Sequence, residues 1–344
     1  MSFTIKDIAK IAGVSTSTVS LVISGKGYIS ESTHEKVQKV IDDYNYRPLR
    51  SARQLPANRT GNIGFIISDV HLSRSEAFYS RILLGAELEA RNYDVYLLLS
   101  TVPGDKGMPD GFPRFLKGRD VDGVIIAGSV SPALIDHIHK QKLPVTLVDY
   151  RKPDLEIDSI LMDNRYGISL IVEHLVSQNV THIGFVGGSF YHPSIKERFE
   201  GYQSAMERLG FGDIARDKNY HYLIEEETTT NIGSNGAENL LKTVSNLQAI
   251  ICVNDTTAIG CMNQLQFLGK KVPDDILVTG FDDVNFAALT TPSLTTVHVP
   301  KIEMGMSAMK LLMDKIENPD KISQTQLIPV KLVKRMSSLK TDRC

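Results

Sequence analysis

Four polar residues stand directly after continuous apolar runs of this 344-residue chain: Ser68, Asp149, Asn254 and Asp282. Hydroxyl, carboxylate and amide groups donate and accept the hydrogen bonds that hold a small polar ligand. Ligands of open parallel sheets bind beyond the carboxyl ends of the strands, so four such groups at one sheet edge predict a ligand pocket. The alternative is that each residue only caps the helix that follows its strand.

A second set of chemically suited residues lies near the N-terminus. Thr16, Ser17 and Thr18 follow one another, with Ser20 and Leu21 one helical turn further on. Small hydroxyls reach phosphates or base edges, and an apolar side chain can touch a thymine methyl group. This pattern favours a DNA-reading helix, and the alternative is a generic three-helix bundle with a Ser/Thr cap.

A basic segment follows this second set. Pro48 and Pro56 bracket a stretch that contains Arg50, Arg53 and Leu55. Proline suits the first position of a helix and stops a helix further on, so about two turns remain, too few for a helix that is stable alone in water. Such a segment could fold on a phosphate surface and insert Leu55 between base pairs in the minor groove. The alternative is that the segment serves only as a basic linker between domains.

Helix-capping residues predict the helices that position these N-terminal side chains. Thr4 is followed three residues later by an acid, which predicts a helix start. Gly13 ends that helix and Ser15 caps a second one, which ends near Gly25. A third helix begins at residues 30–32. Three short helices with a tight turn between the first two are typical of a helix-turn-helix, whose second helix enters the major groove.

The remaining elements form a duplicated α/β unit. Continuous apolar runs separated by helices indicate parallel sheets covered by helices on both faces. Similar Ile-Gly-Phe triplets at 63–65 and 183–185 open matching units, and Gly85 and Gly201 occupy similar places in the helices that follow. We therefore expect an α/β core of two lobes with a cleft between them. The runs lie at 63–67, 95–99, 124–126, 145–148, 183–186, 249–253 and 277–281.

Composition limits the class of protein. The chain is 42% hydrophobic and 23% charged, with a net charge of −2. Residues 1–60 carry a net charge of +4 and the rest −6, which suggests that the N-terminal part meets a polyanion. No apolar run approaches the ~20 residues of a membrane span, and no secretory signal is recognisable. Three cysteines fit a reducing cytosol, so we expect a cytoplasmic protein without a membrane partner.

Enzymatic signatures are missing from the sequence. It holds no Gly-x-Ser-x-Gly, His-Glu-x-x-His or Walker pattern. His137 and His139 are two residues apart, so on a helix they face apart and would not share a metal. We expect no catalytic site, no metal and no cofactor. A transport-type binding protein would lack the N-terminal helices, and a cytosolic sugar enzyme remains an alternative by analogy of fold alone.

Several motifs together resemble the LacI/GalR family of bacterial transcription regulators. The resemblance covers nearly the whole chain, in the family's order. It is carried by residues 4–15 (TIKDIAKIAGVS), 18–20 (TVS), 52–55 (ARQL), 272–276 (VPDDI), 280–283 (GFDD) and 292–297 (PSLTTV).

The resemblance implies a domain plan and a function. Residues 1–46 would form a helix-turn-helix head, 47–60 a hinge helix and linker, and 61–340 a two-lobed core like that of periplasmic binding proteins. The family's members are repressors, so the chain would bind a pseudo-palindromic DNA operator as a homodimer in the bacterial nucleoid. A small effector between the lobes, of which a sugar is the favoured class, would control operator affinity. A purine or a partner protein is the alternative effector, and induction and corepression both stay open.

The resemblance also assigns residues to the two sites. For DNA they are Thr4, Ser15, Thr16, Ser17, Thr18, Ser20, Leu21, Arg50, Arg53 and Leu55. For the effector, the main polar contacts would be Asp149, Arg198, Asn254 and Asp282, with Phe78 and Tyr79 stacking on the ligand and Ser68, Met162 and Ser194 as further contacts.

Two departures from the family pattern affect DNA binding. Leu21 replaces an arginine that commonly reads a guanine, and leucine cannot make that bidentate contact. Pro56 directly follows the wedge residue Leu55, and Leu49 replaces a polar residue. The operator half-site should therefore differ from the family's, and Pro56 ends the hinge helix early.

Overall fold

The computed structural model describes residues 3–25, 27–46, 59–73, 78–103, 112–225 and 228–339. These fall into two compact units, divided between Gly61 and Asn62. The α/β architecture with N-terminal helices and parallel sheets confirms the predicted fold class.

The first unit is a bundle of three helices, α1 (Ile5–Ala12), α2 (Thr16–Ser24) and α3 (Glu31–Asp43). The Thr4 and Asp7 side chains form a reciprocal capping box at the start of α1, and Gly13 ends it in the left-handed conformation. Ser15 caps α2 by accepting the backbone N–H of Thr18 at 3.0 Å. The predicted helix starts and stops are therefore confirmed. Buried residues Ile8, Ala9, Ala12, Val19, Val22, Val37 and Tyr46 form the core.

The second unit begins with a six-stranded parallel sheet, which defines lobe one. Its strand order is β11-β5-β4-β3-β1-β2. The strands are β1 (Asn62–Ser68), β2 (Tyr96–Val102), β3 (Gly123–Ala127), β4 (Val145–Val148), β5 (Asp158–Met162) and β11 (Thr325–Ile328). The helices are α4 (Asp69–Ser73), α5 (Phe78–Ala90), α6 (Arg114–Gly118), α7 (Pro132–Lys140) and α13 (Lys301–Glu317), which packs on α5.

Lobe two is built on a four-stranded parallel sheet with the order β7-β6-β8-β9. Its strands are β6 (Ile183–Gly187), β7 (His221–Leu223), β8 (Ala249–Cys252) and β9 (Leu277–Thr279). Its helices are α8 (Asn164–Val176), α9 (Pro193–Arg208), α10 (Gly212–Arg216), α11 (Thr230–Thr243) and α12 (Asp255–Phe267). The two sheets confirm the expected two-lobed core.

The chain crosses between the lobes three times: between β5 and α8, between β9 and α13, and after β11. The second and third crossings pair as an antiparallel ribbon of β10 (Thr296–His298) and β12 (Lys331–Val333). Because three crossings join the lobes, residues far apart in sequence meet near them. Short 3-10 helices lie at Arg91–Tyr93, Lys218–Tyr220, Asn285–Ala288 and Met336–Ser338.

Candidate functional site

The start of α2 presents small hydroxyl side chains. Thr16 and Ser17 are exposed, whereas Ser20 and Leu21 are half-buried. A Cβ built on Gly27 would lie 3.3 Å from a methyl carbon of Leu21, so this leucine packs beside the turn after α2. The start of α2 therefore offers two exposed hydroxyls, with an apolar side chain one turn further on.

Three of the other hydroxyls assigned to DNA stabilise helix starts. Thr4 Oγ1 donates to the Asp7 carboxylate at 2.6 Å. The Ser15 and Thr18 hydroxyls lie 2.9 Å apart. A phosphate contact at these positions would share the hydroxyl oxygen with a cap. The remaining candidates, Arg50, Arg53 and Leu55, lie outside the described residues, as do Leu49 and Pro56.

All nine effector candidates are buried in the second unit, with at most 8% of each residue exposed. Asp149, at the end of β4, lies in the middle of one group. Its carboxylate accepts hydrogen bonds from Ser194 Oγ at 2.6 Å and from Tyr79 Oη at 2.8 Å. Phe78 packs edge-on against Tyr79 with ring centroids 5.0 Å apart. Because Asp149 belongs to lobe one and Ser194 to α9 of lobe two, their hydrogen bond joins the lobes.

Arg198, on α9, lies in the middle of a second group. Its guanidinium donates to Asn164 Oδ1 and to the carbonyl oxygen of Val253, both at 2.8 Å. It also contacts Asp282 Oδ1 at 3.1 Å and the Met162 sulfur at 3.3 Å. The guanidinium carbon lies 3.8 Å from the centroid of the Phe281 ring, in cation–π contact. One face and all three nitrogens of the guanidinium group therefore have partners.

The two groups form one electrostatic site. Burial raises the pKa of the Asp149 carboxyl, while the Ser194 hydrogen bond and the charge of Arg198 act in the opposite direction. Burial likewise raises the pKa of Asp282, and here Arg198 and Lys301 oppose it while the charge of Asp149 adds to it. Two acids and one guanidinium thus lie together in a buried site, where hydrogen bonds are stronger than in water.

Both strand-end acids have unusual backbone conformations. The φ angles of Asp149 and Asp282 are 57° and 108°. L-residues rarely adopt positive φ, and such strain is concentrated at functional sites.

Ser68 and Asn254 lie at the predicted strand ends but have different surroundings. Asn254 caps α12, because its Oδ1 accepts the backbone N–H of Thr257 at 2.9 Å and its amide nitrogen donates to Thr228 Oγ1 at 2.9 Å. Asn254 therefore caps its helix in this structure, and its contact with an effector stays a prediction. Ser68 is only 2% exposed at the end of β1.

Two histidines join the first group, and the sequence did not indicate them. The His71 ring packs at a tilt against the Tyr79 ring, with centroids 4.6 Å apart. His192 Nδ1 accepts the backbone N–H of Ser194, so its other nitrogen, Nε2, carries the proton of the neutral ring. That nitrogen lies 3.3 Å from Tyr79 Oη and 3.6 Å from Asp149. A His-Pro pair at a helix start was the available signal for His192, while His71 had none.

Asn164 was also missed. It follows β5 and receives the Arg198 Nε–H, while its own amide nitrogen donates to Glu197 at 2.9 Å. Its position next to a strand end is the same signal that identified Asn254.

The described ranges contain neither a metal-binding cluster nor a membrane-spanning helix. No group of three or more His, Cys, Asp and Glu side chains there is arranged to bind a metal ion. No helix among the described residues is long and apolar enough to cross a membrane.

Comparisons with known proteins agree with this architecture. Residues 4–48 match the family described as bacterial regulatory proteins, lacI family, and residues 172–338 match a periplasmic binding protein-like domain. The HTH-type transcriptional repressor PurR of Vibrio campbellii is 31% identical over 319 residues, which cover 92% of this chain and 93% of that protein. The ribose operon repressor of Haemophilus influenzae is 29% identical over 334 residues, covering 97% and 98% of the two chains.

Among solved structures, the Lac repressor dimer bound to operator and the anti-inducer ONPF has a TM-score of 0.82 at 25% identity, covering 98% of this chain and 100% of that one. The matched domains and relatives define a class, the transcription regulators with a helix-turn-helix and a periplasmic-binding-protein-like core. The chain belongs to the LacI family of bacterial regulatory proteins.

Proposed function

We propose that the chain is a transcription repressor whose affinity for a DNA operator is set by a small effector bound between the two lobes. One observation carries the proposal: a helix-turn-helix shares the chain with a buried cluster that contains Asp149, Arg198 and Asp282. In this proposal residues 1–46 bind DNA, 47–60 form the hinge, and 61–340 sense the effector.

The DNA partner is a pseudo-palindromic operator, bound by a homodimer. One head offers few base contacts, and two heads on a symmetric site double them. Thr16 and Ser17 are exposed at the start of α2, which supports a role in base or phosphate contact. Roles for Arg50 and Arg53 on phosphates, and for Leu55 in the minor groove, follow from sequence.

The favoured effector is a sugar. Carboxylates accept hydrogen bonds from paired hydroxyls, a guanidinium donates to ring or hydroxyl oxygens, and an aromatic ring covers the apolar face of a sugar. Asp149, Asp282, Arg198 and Tyr79 supply these groups in one buried site. The name of one relative, the ribose operon repressor, supports the same class. A purine is the alternative.

The effector would act by changing the hydrogen bonds that join the lobes. In this structure Ser194 of lobe two donates to Asp149 of lobe one, beside a second hydrogen bond from Tyr79 within lobe one. A ligand hydroxyl that competes with Ser194 for Asp149 changes the free-energy difference between two arrangements of the lobes, and differential affinity for two states is what an effector needs.

A thermal-shift screen of the full-length chain tests the effector class. The probes are D-ribose, cellobiose, glucose 6-phosphate and hypoxanthine. A ligand present at 100 times its Kd stabilises the folded state by about 2.7 kcal/mol. We expect a sugar to raise the melting temperature, and a response to hypoxanthine alone would contradict the sugar proposal.

We expect Asp282→Asn to weaken effector binding while leaving operator binding without effector intact. The amide oxygen still accepts from Arg198, but a charged acceptor for ligand hydroxyls is lost, which costs about 1–3 kcal/mol, or up to ~100-fold in affinity. Calorimetry with the sugar found in the screen and operator anisotropy measure the two affinities. Asp320→Asn, an exposed acid, is the control. Wild-type effector affinity in Asp282→Asn would exclude this residue from the pocket.

The proposal includes no catalytic turnover, and it assigns the protein to the bacterial cytoplasm because its DNA partner lies in the nucleoid. Mass spectrometry of the binding sugar after prolonged incubation with the protein tests the first point. A new product would indicate an enzyme.

A further inference from the structure

The loop that carries Asp282 has a backbone that requires support. Asp282 and the next residue, Asp283, have φ angles of 108° and 53°. Two consecutive non-glycine residues at positive φ persist only where their surroundings determine them. The direction of the Asp282 carboxylate depends on this conformation.

Lys301 stabilises this loop through hydrogen bonds to its backbone. Its ammonium group donates to the backbone carbonyl oxygens of Asp282, Asp283 and Val299, the last two at 3.4 and 3.2 Å. A lysine ammonium group has three hydrogens, so three carbonyl acceptors match its donors. Two of the three acceptors belong to the loop residues with positive φ.

Lys301 belongs to lobe one, whereas the loop belongs to lobe two. It is the first residue of α13, which packs on α5 and on strands of the six-stranded sheet. Its ammonium group also lies 5.7 Å from the ring centroid of Phe78, the neighbour of Tyr79 on α5. The side chain therefore crosses from lobe one to the loop that follows β9.

Other contacts hold the loop from elsewhere. The Asp283 carboxylate accepts from Arg335 and His298, both at 2.8 Å, and these belong to the β10–β12 ribbon and the chain directly after it. The Val284 backbone N–H donates to Asp255 of lobe two at 2.8 Å. Unlike these contacts, the Lys301 contact reaches the loop from a helix of lobe one.

We propose that Lys301 is a positioning residue for the effector site, and that it fixes the Asp282 carboxylate relative to lobe one. Through this contact a change in the angle between the lobes moves the loop, so effector affinity depends on lobe arrangement at Asp282 as well as at Asp149. The expected change in effector affinity rests on the proposed effector function, whereas the structural role of Lys301 is testable without any ligand.

Hydrogen exchange of the full-length chain tests the structural role. Lys301→Met removes the three donors and keeps an unbranched side chain beside Phe78, and Lys310→Met, at an exposed lysine of the same helix, is the control. We expect amides of residues 280–284 to exchange at least tenfold faster in Lys301→Met, with β8 and the interior of α13 unchanged. Wild-type exchange in the loop would overturn the proposal.

A second, milder variant distinguishes a local effect on the loop from a general loss of stability in the core. Lys301→Gln retains two donor hydrogens on a shorter side chain. We expect faster exchange in the loop alone, by a smaller factor. Uniform acceleration across the core in both variants would show a general structural role and overturn the proposal.

A double-mutant cycle with D-ribose as the probe tests the functional consequence. If Lys301 acts through Asp282, Lys301→Met raises the Kd about tenfold in the wild-type background and less than twofold in Asp282→Ala. Equal losses in both backgrounds would overturn the coupling. If D-ribose does not bind the wild-type chain, that result bears on the sugar proposal alone, and the exchange experiment decides the role of Lys301.

Discussion

Arg198 is a buried cation whose cost is offset by its partners. Removing a guanidinium from water is expensive, and burial is tolerated only when its donors are matched. Asn164, Val253 and Asp282 accept its N–H groups, and the Phe281 ring covers one face. The group is therefore held in one orientation before any ligand arrives, which reduces the entropy lost on binding.

Leu21, which is half-buried on α2, allows a test of how the head reads DNA. We expect Leu21→Arg to change operator preference rather than abolish binding, because an arginine one turn beyond Ser17 can gain a guanine contact worth ~1–3 kcal/mol. Selection from randomised DNA with both proteins measures the preference. Because Leu21 packs beside Gly27, an unchanged consensus would mean that this position faces the interior of the head.

Protonation of the Asp283 carboxyl changes the stability of the folded core. Burial raises its pKa, but hydrogen bonds from Arg335 and His298 outweigh burial, so the pKa lies below its ordinary value. A lowered folded-state pKa stabilises the fold above the unfolded pKa, near 4, and this contribution is lost as the pH falls through the folded value.

We therefore expect Asp283→Asn to destabilise the core by about 1–3 kcal/mol at pH 7, the cost of losing hydrogen bonds between charged groups. The difference from wild type should shrink as the pH falls below about 4, because the unfolded carboxyl then takes up a proton before the folded one does. Urea unfolding at pH 7 and at pH 3 measures it, with Asp320→Asn as the exposed control. A difference that does not depend on pH would contradict the ion-pair explanation.

Close helix crossings occur in both lobes and use pairs of glycines. In lobe one, Cβ atoms built on Gly85 and Gly305 would each lie 2.0 Å from a backbone carbonyl oxygen of the facing helix. In lobe two, Gly233 and Gly260 show the same reciprocal relation at 1.9 Å. Backbone cannot yield as a flexible side chain does, so these crossings need glycine. Gly201, which the repeat pattern aligned with Gly85, also faces helix backbone, that of Arg165.

We expect Gly85→Ala to destabilise the core by about 3 kcal/mol, near the upper end for overpacking, because the obstacle is the carbonyl of Ile302. The change would separate α5 from α13 and so disturb both Tyr79 and Lys301. Denaturant unfolding followed by circular dichroism measures the loss. Ser80→Ala, exposed on the same helix, should have an effect within 0.5 kcal/mol. Equal stability of the two variants would refute the close crossing.

The distribution of charge fits a DNA-binding assembly. The positive N-terminal 60 residues can approach a polyanion, while the negative remainder keeps the core away from it. Because a symmetric operator has two half-sites, the assembly that matches it has a two-fold axis.

We expect the protein to sediment as a dimer at micromolar concentration, with twice the 38.1 kDa mass of the chain. Analytical ultracentrifugation with and without a palindromic operator measures the mass, and a single half-site is the control DNA. A monomer in both conditions, or a tetramer, would contradict this expectation.

Local signals in the sequence were sufficient for the helix boundaries of the head and for the alternation of strands and helices in the core. The Thr4–Asp7 box, the stop at Gly13 and the cap at Ser15 are interactions over three or four residues, so their spacing is visible in the sequence. The apolar runs report burial on both faces of a sheet, and their order indicates an α/β core. Strand-end position likewise predicted that Asp149 and Asp282 lie at one edge of the core.

Which of these side chains meet was decided by the packing of the two lobes. Ser194 and Asp149 are 45 residues apart, and Arg198 and Asp282 are 84 apart. Asn254, at an equivalent strand end, instead caps its own helix. His71 and Lys301 carried no distinctive local pattern, because their contacts depend on elements that only the folded chain brings together. A hydrogen bond needs its partners within about 3 Å, and across such separations only the folded backbone sets that distance.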